Sequence, residues 1–175
     1  SYIRLQKYDE MLELVNFLLT KKSFLEDKEE LQARLLDIQG KAERKSVEKL
    51  EKGEKWIECG QGYLKIFNKN PDGEGMDEVL YNAGVCFESG KSIGLAIAMF
   101  KKLQQRFPNS KQSQKALVRL GNNFGAIAFY AEAATMYERY AKKYGGEKDA
   151  SKALSNAVLY RKGIGDDEKA IANTK

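Results

Sequence analysis

Three polar residues, Asn82, Arg119 and Asn156, recur 37 positions apart in this chain, and Lys115 and Lys152 each stand four places before the second and third of them. Tyr81 and Asn122 lie close to the same row. An Asn side chain carries both a donor and an acceptor, which suits the backbone of an extended peptide, while Arg and Lys suit a carboxylate. The chemistry these residues offer is the binding of an extended segment with an acidic preference. The bland alternative is a set of ordinary solvated polar residues.

Covalent chemistry finds little support. The chain has no histidine, so Cys59 or Cys86 as a nucleophile lacks its usual base. Neither cysteine belongs to a CxxC pair, two are too few for a disulfide framework, and both fall at packing positions, which reads as buried small residues. The CGQG at Cys59 lies in a helical pattern and lacks the Lys-Ser/Thr ending of a phosphate loop, and no His/Cys cluster has metal-ligand spacing. The expectation is a non-enzymatic protein with no cofactor, no metal and no small-molecule substrate.

A chain of 175 residues, 42% hydrophobic and 31% charged, is long enough for a sizeable core and ordinary for a soluble fold. Only two prolines interrupt it, and abundant Ala, Leu, Lys and Glu favour an all-α protein. The longest early apolar run, Leu12 to Leu19, carries a Glu and an Asn and is far shorter than the roughly 20 residues that span a bilayer. No charged leader with an apolar core opens the chain at Ser1, and it stops within a helical pattern at Lys175, so it reads as an excerpt of a longer protein. The net charge of +5 comes from 30 basic and 25 acidic residues, mostly interspersed as on solvated helix faces, which disfavours nucleic acid as a partner.

Taken in order, Leu5, Tyr8, Met11, Leu12, Val15, Leu18 and Leu19 recur at spacings of three and four, predicting an amphipathic helix within residues 2–22. Ser23 and Glu26 have capping-box spacing and predict a new helix start, with Leu31, Leu35, Leu36 and Ile38 as its apolar side and a weak break at Gly40. Lys41 to Lys55 alternates in charge and reads as a solvated helix with a thin stripe of Ala42, Val47 and Leu50. Trp56, Ile57, Cys59, Tyr63, Leu64, Ile66 and Phe67 predict a strongly apolar helix that ends at Asn70-Pro71, where PDGEG is a turn.

The best-formed stretch is Leu80 to Pro108. Val79, Leu80, Ala83 and Phe87 line one helix, Gly90 lies in the turn, and Ile93, Ala96, Ile97, Phe100 and Leu103 line the next. Gly84 and Ala96 lack bulk and let the two helices approach, while Phe87 and Phe100 fill the space beside the contact. A shift of 37 residues brings Leu117, Leu120, Gly121, Phe124, Tyr130, Ala133, Tyr137 and Tyr140 into the same places, and a second shift brings Leu154, Ala157 and Val158. A constant period is a repeat array. It predicts an N-terminal helical hairpin over 1–39, a degenerate unit over 40–76, full units over 77–113 and 114–150, and a shortened unit over 151–175 with Arg161 where the others have Phe.

Tyr81-Asn82-Ala83-Gly84, Ala96-Ile97, Phe100 and Pro108 in the first full unit, with Leu120-Gly121, Phe124, Tyr130, Ala133 and Tyr137 in the second, resemble the tetratricopeptide repeat. That resemblance implies a right-handed superhelix of antiparallel helix pairs, an α-solenoid, acting as a protein–protein interaction scaffold. The family's unit is about 34 residues, so three further residues are expected in the linkers at Asn109 to Gln112 and Gly146 to Asp149. The wording of LYNAGVCFE, FPNS and KALSNAVLYRKGIGD is also similar to tetratricopeptide proteins of the bacterial cell envelope, in particular those of gliding-motility machinery in deltaproteobacteria. It implies a periplasmic or outer-membrane-associated location ahead of a cytoplasmic one, and a place in a larger assembly.

In such a stack the first helix of each pair lines the concave side. The groove residues are then Tyr81, Asn82, Lys115, Arg119, Asn122, Lys152 and Asn156, with extended or acidic protein segments as partners. A nucleic-acid-binding repeat and self-association through uncapped array ends are the alternatives. Phe124, Phe129, Tyr130, Tyr137, Tyr140 and Tyr144 are expected in the core, with Phe129 the most exposed.

Overall fold

In a computed structural model, which describes residues 7–174, the chain is helical throughout. Its elements are α1 (Tyr8–Thr20), α2 (Lys22–Leu25), α3 (Glu29–Lys52), α4 (Trp56–Lys69), α5 (Met76–Ser89), α6 (Ile93–Arg106), α7 (Lys111–Ala126), α8 (Tyr130–Lys143), α9 (Ala150–Gly163) and α10 (Asp167–Ala172). From α3 onward each helix packs on the next, and α5 also touches α7, which stacks antiparallel pairs into an α-solenoid.

Pair α5–α6 shows why these residues approach so closely. A Cβ on Gly84 would fall 2.5 Å from the Phe100 ring, so the ring occupies the space a side chain would need. One unit on, a Cβ on Gly121 would meet the Tyr137 ring at 2.7 Å. Ala96 and Ala133 are fully buried beside these contacts. Phe87, Phe100, Leu80 and Leu103 fill the remaining volume with at most 1% of their surface exposed.

The 37-residue period is most regular in the turns inside each pair. Glu54, Lys91, Ala128 and Gly165 all take a left-handed backbone, with φ of 56°, 59°, 62° and 76°. The next residue donates its N–H five positions back, from Lys55 to Leu50, Ser92 to Phe87, Phe129 to Phe124 and Asp166 to Arg161, at 2.8–2.9 Å. That is the Schellman closure of a helix C-terminus, which satisfies carbonyls that the ended helix leaves orphaned. The same closure therefore ends α3, α5, α7 and α9.

The amino-terminal third departs from the expectations. Ser23 sits inside the four-residue α2 rather than capping a long helix; the chain turns at Asp27, whose φ is 61°, and α3 begins at Glu29. Glu29 and Glu30 place negative charge in its first turn, which favours that start. Gly40 does not break the helix. A mid-helix Gly costs only about 1 kcal/mol, and Ile38 and Ala42 on either side of it pack on the α1 side, so α3 runs 24 residues through the boundary placed between 39 and 40. Leu35 and Ala42 pack on the α1 side, and further along Val47 and Leu50 join the core that α4 shares. Leu5 lies outside the described residues.

The linkers also differ. Lys111 and Gln112 belong to α7, because the Ser110 hydroxyl accepts the Ser113 N–H and caps the helix there. Gly146 to Asp149 form the turn before α9 as expected. In the aromatic set Phe124, Tyr137 and Tyr140 are buried, whereas Tyr130 and Phe129 are exposed.

Candidate functional site

A cleft of about 630 Å³ runs along α7. Lys111, Lys115, Arg119 and Asn122 line it from four successive turns of that helix, Tyr81 enters from α5, and Glu147 and Asp149 come from the α8–α9 turn. Residues three, four and seven apart share a helix face. Their gathering follows from the sequence spacing once α7 is a helix.

Tyr81 organises the cations. The Arg119 guanidinium carbon lies 5.5 Å and the Lys115 ammonium 5.8 Å from the centre of its ring. Arg119 Nε donates to the Tyr81 hydroxyl at 2.9 Å, and its Nη1 donates to Glu88 at 2.7 Å. Burial pulls the Arg119 pKa down, but the bonds to Tyr81 and Glu88 outweigh it and leave it raised. The guanidinium is fixed in place and charged, while Lys111 and Lys115 are exposed.

Four of the seven expected groove residues thus meet at one cleft: Tyr81, Lys115, Arg119 and Asn122. Asn82, Lys152 and Asn156 lie outside its lining. Instead Asn82 counteracts part of the burial effect on the Tyr63 phenol, and Asn156 part of that on the Tyr137 phenol. Tyr63, Phe100 and Tyr137 occupy one place in successive second helices, 37 residues apart. Tyr137 donates to Asn122 Oδ1 at 2.5 Å. Burial pushes both phenols up to about 12, Glu51 and Glu48 adding to the effect at Tyr63 and Tyr160 at Tyr137.

Lys111, Glu147 and Asp149 were not singled out from sequence. Lys111 precedes Lys115 by four residues and is found once α7 is extended to Ser110; the two acids depend on how a turn folds back, which spacing does not show. Cys59 and Cys86 are buried as expected but not independent: they are paired as a disulfide that ties α4 to α5. The correction is that two cysteines suffice when adjacent antiparallel helices place them face to face. Among the described residues no group of three potential ligands could hold a metal ion, and no helix is long and apolar enough to cross a membrane.

Residues 78–110 match the family model described as tetratricopeptide repeat. The chain is also similar to the crystal structure of BtubC (BKLC) from P. vanneervenii, with a TM-score of 0.60 at 17% identity, over 99% of this chain and 79% of that one. That likeness is one of fold. No curated protein matches the chain. Tetratricopeptide repeats generally mediate protein–protein contacts and are generally non-catalytic. Residues 78–110 are thus a tetratricopeptide repeat, set in an all-α solenoid whose neighbouring pairs share its turn geometry.

Proposed function

We propose that the α7 cleft docks an extended, acidic segment of a partner protein, and that the chain serves as a scaffold within a larger assembly. The observation that carries this reading is the convergence of Lys111, Lys115 and the pinned Arg119 around Tyr81 in a cleft of about 630 Å³. Carboxylates of the segment meet the α7 cations, Asn122 and Tyr81 serve its backbone, and a base in it meets Glu147 and Asp149. Lys152, Asn82 and Asn156 extend the row on neighbouring first helices. A peptide-display library tests it: the protein enriches Asp/Glu-rich peptides, and Lys111→Glu with Lys115→Glu abolishes the enrichment while helix content and melting stay unchanged. Enrichment that survives both reversals overturns the assignment.

The same reading places the protein in the periplasm or at the outer membrane, with the similarity to envelope and gliding-motility proteins as one support. The Cys59–Cys86 disulfide is the other, because such bonds persist in oxidising compartments and are rare in the cytosol. Protein exported to a bacterial periplasm, then denatured without reductant, takes up no thiol reagent at either cysteine. Labelling of both removes that support.

A further inference from the structure

We infer that the second helices α4, α6 and α8 form a cationic ridge that seats the protein on an anionic lipid surface. Together they carry eight cations and three acids, and the rest of the chain holds 22 of each, so the whole net charge of +5 resides on these three helices. Every one of the eight lies in the carboxyl-terminal half of its helix. Two ranks keep the 37-residue period: Lys65, Lys102 and Arg139, and four residues later Lys69, Arg106 and Lys143.

Helix dipoles account for only part of this. Favourable cation placement fades beyond the last turn, and Lys69, Arg106, Lys142 and Lys143 are the last-turn cations. Lys65, Lys101, Lys102 and Arg139 lie further back. The rear rank also has structural duties: Lys69 pairs with Glu43, Arg106 with Asp72 at 2.6 Å, and Lys143 donates to the Pro108 carbonyl at 2.7 Å. Among the described residues Lys65, Lys101, Lys102, Arg139 and Lys142 enter no ion pair. Of the three acids, Glu138 is already bound by Arg161.

The ridge is continuous. Lys102 of α6 rests 4.6 Å over the Phe67 ring of α4, Arg106 reaches back to the α4–α5 turn, and Lys143 reaches back to the α6–α7 turn. Because α5 touches α7, the second helices take the outer side of the stack, away from the α7 cleft.

Lipid is favoured over nucleic acid by what the ridge lacks. Tyr63, Phe67, Phe100, Tyr137 and Tyr140, the aromatic residues of these helix halves, are all buried, so no ring is offered to a base. Six of the eight cations are Lys, a hydrated point charge suited to a diffuse headgroup layer rather than to bidentate phosphate recognition. A cluster of this size adjacent to a membrane is enough for electrostatic attachment.

The test is sedimentation with vesicles of equimolar phosphatidylglycerol and phosphatidylcholine, against phosphatidylcholine alone. Binding is expected only with phosphatidylglycerol, and is released when salt rises from about 0.1 M to about 1 M and the Debye length falls from about 10 Å to about 3 Å. The triple variant Lys65→Gln, Lys102→Gln and Arg139→Gln lowers the partition coefficient roughly a hundredfold, at about fivefold per cation. Lys22→Gln, Lys28→Gln and Lys162→Gln, exposed cations off the ridge, remove the same charge and leave binding within a fewfold. An equal loss in both triples overturns the ridge, as does failure to bind anionic vesicles while duplex DNA is retained. Neither triple touches the α7 cleft, so peptide enrichment is independent of the result.

Discussion

Phe124 and Arg161 hold the same place in successive units and are buried alike, at 6% and 5% exposure. Around Phe124 the contacts are weak and many: the Phe129 ring lies 6.4 Å away and the Lys101 ammonium 5.1 Å above its own ring. Around Arg161 they are few and directed. Its Nε and Nη2 grip both oxygens of Glu138 at 2.9 and 2.8 Å, Nη2 donates to Thr135 at 3.0 Å, Nη1 reaches Asp166 at 3.3 Å, and Asn173 donates to Glu138 at 2.8 Å. The position therefore asks for a filled volume and accepts a charge when its donors are satisfied. The middle units answer to packing and the last to charge state.

The sharpest way to break that contrast is to overfill the middle. Gly84→Leu drives a side chain into the Phe100 ring and costs about 3 kcal/mol in urea unfolding. Arg161→Ala costs less, about 2 kcal/mol, because Glu138 and Asp166 are a quarter exposed and recover water; hydrogen exchange should quicken in α9 and α10 and not in α5. Arg161→Leu with Glu138→Leu, which removes charge and fills space, recovers most of the loss. Recovery absent in the double variant breaks the comparison.

Acid and base separate the two regions by pH. The bond from Arg161 holds the Glu138 carboxyl below its ordinary 4.5, and at Asp166 the bonds and charges of Lys169 and Arg161 outweigh burial and hold it below 3.8. Depressed values mean that the unfolded chain takes up protons first, so this stabilisation is full above pH 4.5 and fades as pH falls through the folded values. Tyr63 and Tyr137 act in the opposite sense: their stabilisation is full below pH 10 and is lost as pH rises toward 12. Exchange in α9–α10 is expected to lead in acid, and Trp56 fluorescence at the head of α4 to change in alkali. The smallest effect belongs to Leu159→Ser, 67% exposed on α9, which should shift stability by less than about 0.5 kcal/mol.

Much of this architecture was legible because packing repeats. Gly84 with Phe100 and Gly121 with Tyr137 form one contact written twice, and the period exposed both. The amino-terminal third has no second copy against which to compare it, so Gly40 looked like an end while its neighbours kept α3 intact. At the site, the spacing of Lys115, Arg119 and Asn122 foretold a shared face. That Asn82 and Asn156 lie outside the cleft did not follow, because it depends on how neighbouring first helices stand in the stack. Cys59 and Cys86, 27 residues apart, meet only through the antiparallel crossing of two helices.

The left-handed residues Glu54, Lys91, Ala128 and Gly165 keep phase without drift across four turns. Any two of them are interchangeable splice points. Removing residues 92–128 would join Lys91 to Phe129, preserve the reversal that follows α5, and set Gly84 against Tyr137 in place of Phe100. The chain is a cassette design at the level of its backbone: its length can change by whole units while each surviving joint keeps the angle that it already has.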